Sequence, residues 1–281
     1  MNPMATNPPA TLQFALQVER FYAGLILAAN PGQDAEPSLG GKLLYAGQLD
    51  ADARALLVAA NIAGAASLAV SADAATGKQA MRDGVIDFFV TSLDEALRIL
   101  KNEIRKRSTV AVCVTQDSET DFASPLLKRG VLPNLLPLRS APALEFAAFL
   151  SQGARPVVAI HPYVNQVILA WSVADALAQW LPKLDALALD CLGSDLSSAD
   201  ASARRWLRLS PRYLGRMSQG LRLLRCDDST AARFRNHVQE QVERGEIVVP
   251  VEIHWSGSGN CETRRFSPLG DIKGEIGPMV D

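Results

Sequence analysis

Histidine is scarce in this chain, with only His161, His237 and His254 among 281 residues. Three so widely spaced imidazoles do not make a histidine-rich metal centre, and no H-E-x-x-H run occurs. Cysteine is nearly as rare. Cys113, Cys191, Cys226 and Cys261 lie far apart and form no C-x-x-C, which argues against a zinc ribbon or a disulfide framework. Neither sign of charge dominates: 28 Lys and Arg stand against 30 Asp and Glu. No overall field therefore draws the chain to nucleic acid or to an anionic membrane. The basic run "LKNEIRKR" (100–107) reads instead as the solvated C-terminal end of a helix, where cations complement the helix dipole. There is no G-x-S-x-G and no P-loop. The opening "MNPMATNPPAT" lacks a basic segment joined to an apolar one, so it does not read as a signal peptide. "FYAGLILAAN" is too short an apolar run to cross a bilayer. A reducing cytoplasm is the expected setting.

What is present is a large apolar complement, 48% of residues. At this length it suits one large α/β domain or two joined ones. The first ten residues, rich in Pro and Asn, read as a loose tail. Thr11 is placed to cap a helix in which Leu12, Ala15, Val18, Tyr22, Leu25 and Ile26 recur at helical spacing. "PGQDAEPSLGG" (31–41) reads as a linker. From Lys42 onward strands and helices alternate. Strands are expected at 42–46, 67–71, 86–90, 109–114 and 134–137, and helices at about 51–64, 74–82, 92–107, 120–129 and 141–152. Thr91 or Ser92 caps the third of these helices, with Asp94 and Glu95 in its first turn. Apolar strands on this period predict a parallel sheet covered on both faces, Rossmann-like in class. Further strands are expected at 155–160, 186–190, 220–226 and 246–253, with helices at 164–181, 198–208 and 228–244. The final stretch from "GNCETRRF" onward reads as turn-rich and unpatterned.

The stretch "LYAGQLDADARALL" (44–57) is a strand, a glycine turn and a helix, the setting in which α/β proteins hold phosphates. Only Gly47 serves such a loop, and Asp50 and Asp52 would repel a pyrophosphate. Both carboxylates are equally suited to capping the helix that follows. Asp73, just past the second strand, stands where an acid binds an adenosine ribose, and where a plain cap residue also belongs. His161 and His254 follow or end expected strands and are the acid–base candidates, each with a structural reading beside it. His237 sits within an expected helix and reads as a surface residue. Cys113, in "TVAVCV", reads as a reduced core thiol. The "SGSG" at 256–259 is flexible enough for an anion loop.

Taken in order, several words resemble the central NAD-binding region of urocanase (urocanate hydratase). They are "GGKLLYAGQLDADARALLVAANIAGAASLAVSAD", "VTSLDEALRILKNEIRKR" and "VAVCVTQDSETDFASPLLKRGVLPNLLP". Upstream, "QFALQVERFYAGLILAA" is similar to the helix entering that region. Downstream, "GLRLLRC" with "NHVQEQVERGEIVVPVEI" is similar to a later segment of the family, and "HPYVNQV" falls where the family carries a glycine-asparagine motif. The likeness spans about residues 11–265 and is densest over 86–133. It implies a Rossmann-like region at 41–152, with 11–40 and 153–281 forming a flanking α/β portion. It implies NAD as the cofactor and Gly47, Asp73 and Gln166 as the residues nearest to it. His161, Tyr163 and His254 are the catalytic candidates, and a diverged nucleotide or small-acid enzyme would use some of these together with Arg139 and Arg265. No metal is implied.

The departures from the family are specific. Its run of glycines is replaced after Gly47 by "QLDADARA". Its acid falls at Ser71, two places before Asp73, and its Gly-Asn turn falls at Asp117 and Ser118. Its polar Thr-Asp-Gln-Thr-Ser-Ala-His stretch falls on "PLRSAPA" (137–143), and its Arg-Asp-His stretch falls at Trp255, Ser256 and Gly257. Gln166 and Val167 survive, while Pro162, Tyr163 and Val164 replace the polar core around them. Apolar and turn-forming residues are kept; glycine-rich and polar ones are lost. The expectation is a urocanase-like scaffold without urocanate hydratase activity that binds a ligand or a partner. A diverged NAD- or nucleotide-binding enzyme and an oligomeric subunit, such as a homodimer, are the alternatives.

Overall fold

The computed structural model describes residues 10–29, 37–115, 123–138, 144–163, 165–193, 198–215, 220–257 and 260–268. Two compact units emerge, residues 1–161 with 194–219 and residues 162–193 with 220–281. The chain thus leaves the first unit, begins the second, returns, and leaves again. This division groups the segments differently from the 41–152 core with 11–40 and 153–281 flanks expected above.

In the first unit the order is α1 (Ala10–Ala29), β1 (Leu43–Gln48), α2 (Ala51–Ala63), β2 (Ala66–Ser71), α3 (Ala74–Arg82), β3 (Phe88–Val90), α4 (Leu93–Arg105), β4 (Val110–Thr115), α5 (Ala123–Lys128), β5 (Leu135–Pro137), α6 (Leu144–Ser151) and β6 (Arg155–Val157). The strands form one parallel sheet in the order β3-β4-β2-β1-β5-β6. Alternation builds its two faces. Leu43, Tyr45, Leu68, Val70, Val110, Val112 and Val114 join Leu97 and Leu100 of α4 and Phe146 and Phe149 of α6 in one apolar cluster. The intervening Leu44, Ala46, Ser67, Ala69, Ala111 and Cys113 are buried as well, as expected of a parallel sheet covered on both sides. The Rossmann-like α/β class is therefore observed.

The helix α2 is apolar almost all round because it packs against α1, β1, β2, β4 and α8 (Ser198–Leu214). It ends at Gly64, whose φ of 92° closes the last turn in the left-handed conformation. There Arg205 of α8, itself buried, donates from Nε to the Ile62 carbonyl at 2.8 Å. A cation thus meets the negative end of the α2 dipole. Ser92 caps α4 through Glu95 N–H, as the sequence predicts. Thr11 lies inside α1, whose described start is Ala10.

The second unit holds β7 (Gln166–Val173), α7 (Leu177–Cys191), β8 (Leu221–Asp227), α9 (Asp228–Glu243), β9 (Val251–Gly257) and β10 (Asn260–Phe266). Its sheet is antiparallel, in the order β10-β9-β7-β8. Trp171 packs on Phe234 of α9 with ring centroids 4.9 Å apart. Asp185 of α7 pairs with Arg222 of β8 at 2.9 Å.

Four expectations change here. The helix at 164–181 is instead the strand β7 followed by the start of α7, with every residue from Val167 to Trp171 buried so that both faces of the strand are covered. The strand at 186–190 is the end of α7, where Leu181, Leu184, Ala188 and Cys191 form a helical stripe. The strand expected at 246–253 begins only at Val251, after Pro250, which has no N–H for a ladder. The stretch beginning "GNCETRRF" is not unpatterned, since 260–266 is the edge strand β10. Its polar residues on both sides of the strand hide the alternation.

Candidate functional site

Beyond β1 the chain moves to β2 on one side, and after β4 it crosses to β5 on the other side of β1. The β1/β5 boundary is thus the topological switch point, where open α/β sheets bind ligands at the carboxyl ends of their strands. Gly47, with φ of 76°, lies here, but within the strand rather than in the turn. Tyr45 pairs with Leu68 and Gly47 with Ala69, so Ala46 is an extra residue and the left-handed glycine serves a β-bulge. Leu49 N–H then bonds to the Val70 carbonyl at 2.8 Å, prolonging the strand to the edge of α2.

At that edge Asp50 is the N-cap of α2, and its carboxylate accepts from Ala53 N–H at 2.8 Å. Asp52 adds a second carboxylate in the first turn and accepts from Gln17 Nε2 at 3.3 Å. The same device recurs after β2. Asp73 caps α3, accepting from Ala75 N–H at 3.0 Å, Thr76 N–H at 2.9 Å and the Thr76 hydroxyl at 2.6 Å. The Thr76 hydroxyl and then the two N–H groups hold the Asp73 carboxyl below the usual carboxylate range. Ser71, where the urocanase acid falls, is buried and donates its hydroxyl to the Asp73 carbonyl at 2.8 Å. The N-termini of α2 and α3 are therefore each capped by one of the chain's own carboxylates. Thr115, the last residue of β4 and paired with Ser71, has a buried hydroxyl oxygen with no hydrogen bond among the described residues. Arg139, Asp117 and Ser118 lie outside the described residues.

The catalytic candidates are distributed over both units. His161 is the exposed last residue of the first unit before the chain enters the second. Tyr163, in the second unit, is 62% exposed. Gln166 opens β7, and its side-chain oxygen accepts from Tyr163 N–H at 3.3 Å and from Arg225 at 3.4 Å. His254 lies in the middle of β9. Its Nδ1 is 2.7 Å from the Thr263 hydroxyl across the ladder, and its Nε2 is 3.1 Å from Glu252. Arg265, on β10 opposite Glu252, is exposed.

Glu252 and Thr263 were not singled out from sequence. Their signal was the i, i+2 spacing on a strand plus a cross-strand partner, and it needed β10 to be recognised. Another contact missed in the sequence joins Cys191 Sγ to His237 Nδ1 at 3.6 Å, with Arg233 donating to the Cys191 carbonyl at 2.8 Å. Burial raises the Cys191 thiol, and it pushes Cys113 and Cys226 to about 12. These are core thiols, not thiolates. Among the described residues no group of His, Cys, Asp and Glu is arranged to hold a metal ion, and no helix is long and apolar enough to cross a membrane. No protein-family model matches the chain.

Proposed function

We propose that this chain uses a urocanase-like scaffold to bind a ligand or partner at the carboxyl edge of its parallel sheet, without urocanate hydratase chemistry. The observation that carries the reading is the pair of caps. Where a dinucleotide would bring its pyrophosphate and ribose, Asp50 already accepts the Ala53 N–H of α2, and Asp73 accepts the Ala75 and Thr76 N–H groups of α3. A phosphate there would displace a bonded carboxylate or lie against it, and either costs Coulomb energy and hydrogen bonds. A ligand for this edge is thus one that carries no phosphate into the turn. Three buried free thiols, Cys113, Cys191 and Cys226, support a reducing cytoplasmic setting.

The test is a thermal-shift titration of the purified chain with NAD, alongside an absorbance assay with urocanate. The expected outcome is an unchanged melting temperature and undiminished urocanate absorbance. A melting temperature that climbs with NAD concentration would overturn the reading, because saturation at about 100 Kd stabilises by roughly 2.7 kcal/mol. Native mass spectrometry of the untreated protein then identifies what the edge carries from the cell.

A further inference from the structure

We infer that Glu252, His254 and Thr263 form a carboxylate–imidazole–hydroxyl relay that makes Thr263 a nucleophile toward small acyl esters bearing a negative charge. This lies in the second unit and goes beyond the binding role assigned to the parallel sheet. The proton positions follow from the donors and acceptors present. Glu252, ionised, is an acceptor only, so His254 Nε2 must carry the hydrogen of the 3.1 Å contact. In the neutral imidazole Nδ1 then has a free lone pair, and the Thr263 hydroxyl must donate across the 2.7 Å contact. That is the tautomer a general base needs, and the carboxylate both holds it and stabilises the imidazolium that forms.

The strands hold this geometry in place. Glu252 and His254 are two apart on β9 and share a face, and Thr263 is the direct ladder partner of His254. The relay is open to solvent: the side chains of His254 and Glu252 are 31% and 48% exposed, and Thr263 is exposed. Two residues along β10 on the same face stands Arg265, with no hydrogen bond or ion pair among the described residues. A free guanidinium beside a base-activated hydroxyl selects an anionic substrate and offers positive charge to a developing oxyanion.

The reaction balances without a cofactor. Thr263 Oγ attacks the ester carbonyl carbon, and the O–C bond forms as His254 Nδ1 takes the hydroxyl proton. Collapse breaks the bond to the leaving oxygen, which departs with that proton. Water then attacks the acyl-threonine, giving a proton to Nδ1 that returns to Thr263 Oγ as the acid is released.

The experiment treats the full chain with p-nitrophenyl hemisuccinate, with p-nitrophenyl acetate as the uncharged comparison. Release of nitrophenol and peptide mass spectrometry are followed together. The expected result is acylation at Thr263, lost by about 100-fold in Thr263→Val and in His254→Gln. Arg265→Gln should raise KM for the hemisuccinate but not for the acetate. Glu252 is a positioning residue: Glu252→Gln should lower kcat about tenfold at unchanged KM, and Glu252→Asp should restore most of it. Circular dichroism confirms that each variant keeps its sheet. The inference is overturned if the wild-type rate matches free imidazole in buffer, if the acyl group lies elsewhere, or if Thr263→Val keeps the rate.

Discussion

Asp73 shows how far one exposed side chain can be committed. Its carboxylate takes two backbone N–H groups and one hydroxyl, which lowers its proton affinity in the folded chain below the ordinary value of 3.8. A group depressed on folding contributes stability above its unfolded value, and that contribution is lost as pH falls through the lower folded value. The wild type should therefore exceed Asp73→Asn in urea-unfolding stability at about pH 5, with the difference shrinking below about pH 4. A difference that stays constant across that range would contradict the cap's titration. The capping roles of Asp50, Asp73 and Ser92 were open to the sequence, because a short polar residue before a periodic apolar run has few other uses. The relay at His254 was not open to it, since the partner Thr263 is set by a ladder register that no local pattern announces.

Among the elements, α1 depends on a single small residue. Gly24 is buried against β6 and the chain beyond it, and a Cβ there would fall on the Val158 carbonyl. The expected cost of Gly24→Ala is about 1–3 kcal/mol, from the shift needed to relieve overpacking. It should appear as a lower urea midpoint at unchanged slope. Strands of the parallel sheet were legible because both faces are apolar, as in "TVAVCV". The strand β7 was misread because "VILAWSV" is apolar on both parities, and an unbroken apolar run fits a buried helix or a buried strand equally well. Length gave no help, because only Ala174, Asp175 and Ala176 separate β7 from α7, without a glycine or proline. Ala176 makes the turn itself at φ of 49°.

For the molecule as a whole, the interleaving of the two units matters more than the count of elements. The helix α8 is encoded after the first segment of the second unit, yet it packs on α2 and supplies Arg205 to the Ile62 carbonyl. A chain ending at Gly193 should therefore fail to complete the first unit, although every strand of its sheet is present. The expected signature is retained far-UV dichroism with lost near-UV signal and added dye binding. A sharp cooperative melt for that fragment would show that α8 is dispensable. The alternating chain from β1 to β6 made the sheet readable in sequence, whereas the return of α8 was invisible, because nothing local distinguishes a helix that goes back from one that goes on.

That return also sets an order of events during synthesis. The ribosome delivers β1 to β6 first, then β7 and α7, and only afterwards α8. Until Arg205 emerges, the C-terminal turn of α2 waits with its partner still inside the tunnel, while the first strand of the other unit, β7, is already made. The nascent chain must therefore protect an apolar helix through the making of a segment that does not belong to it, a window in which a chaperone has the most to hold.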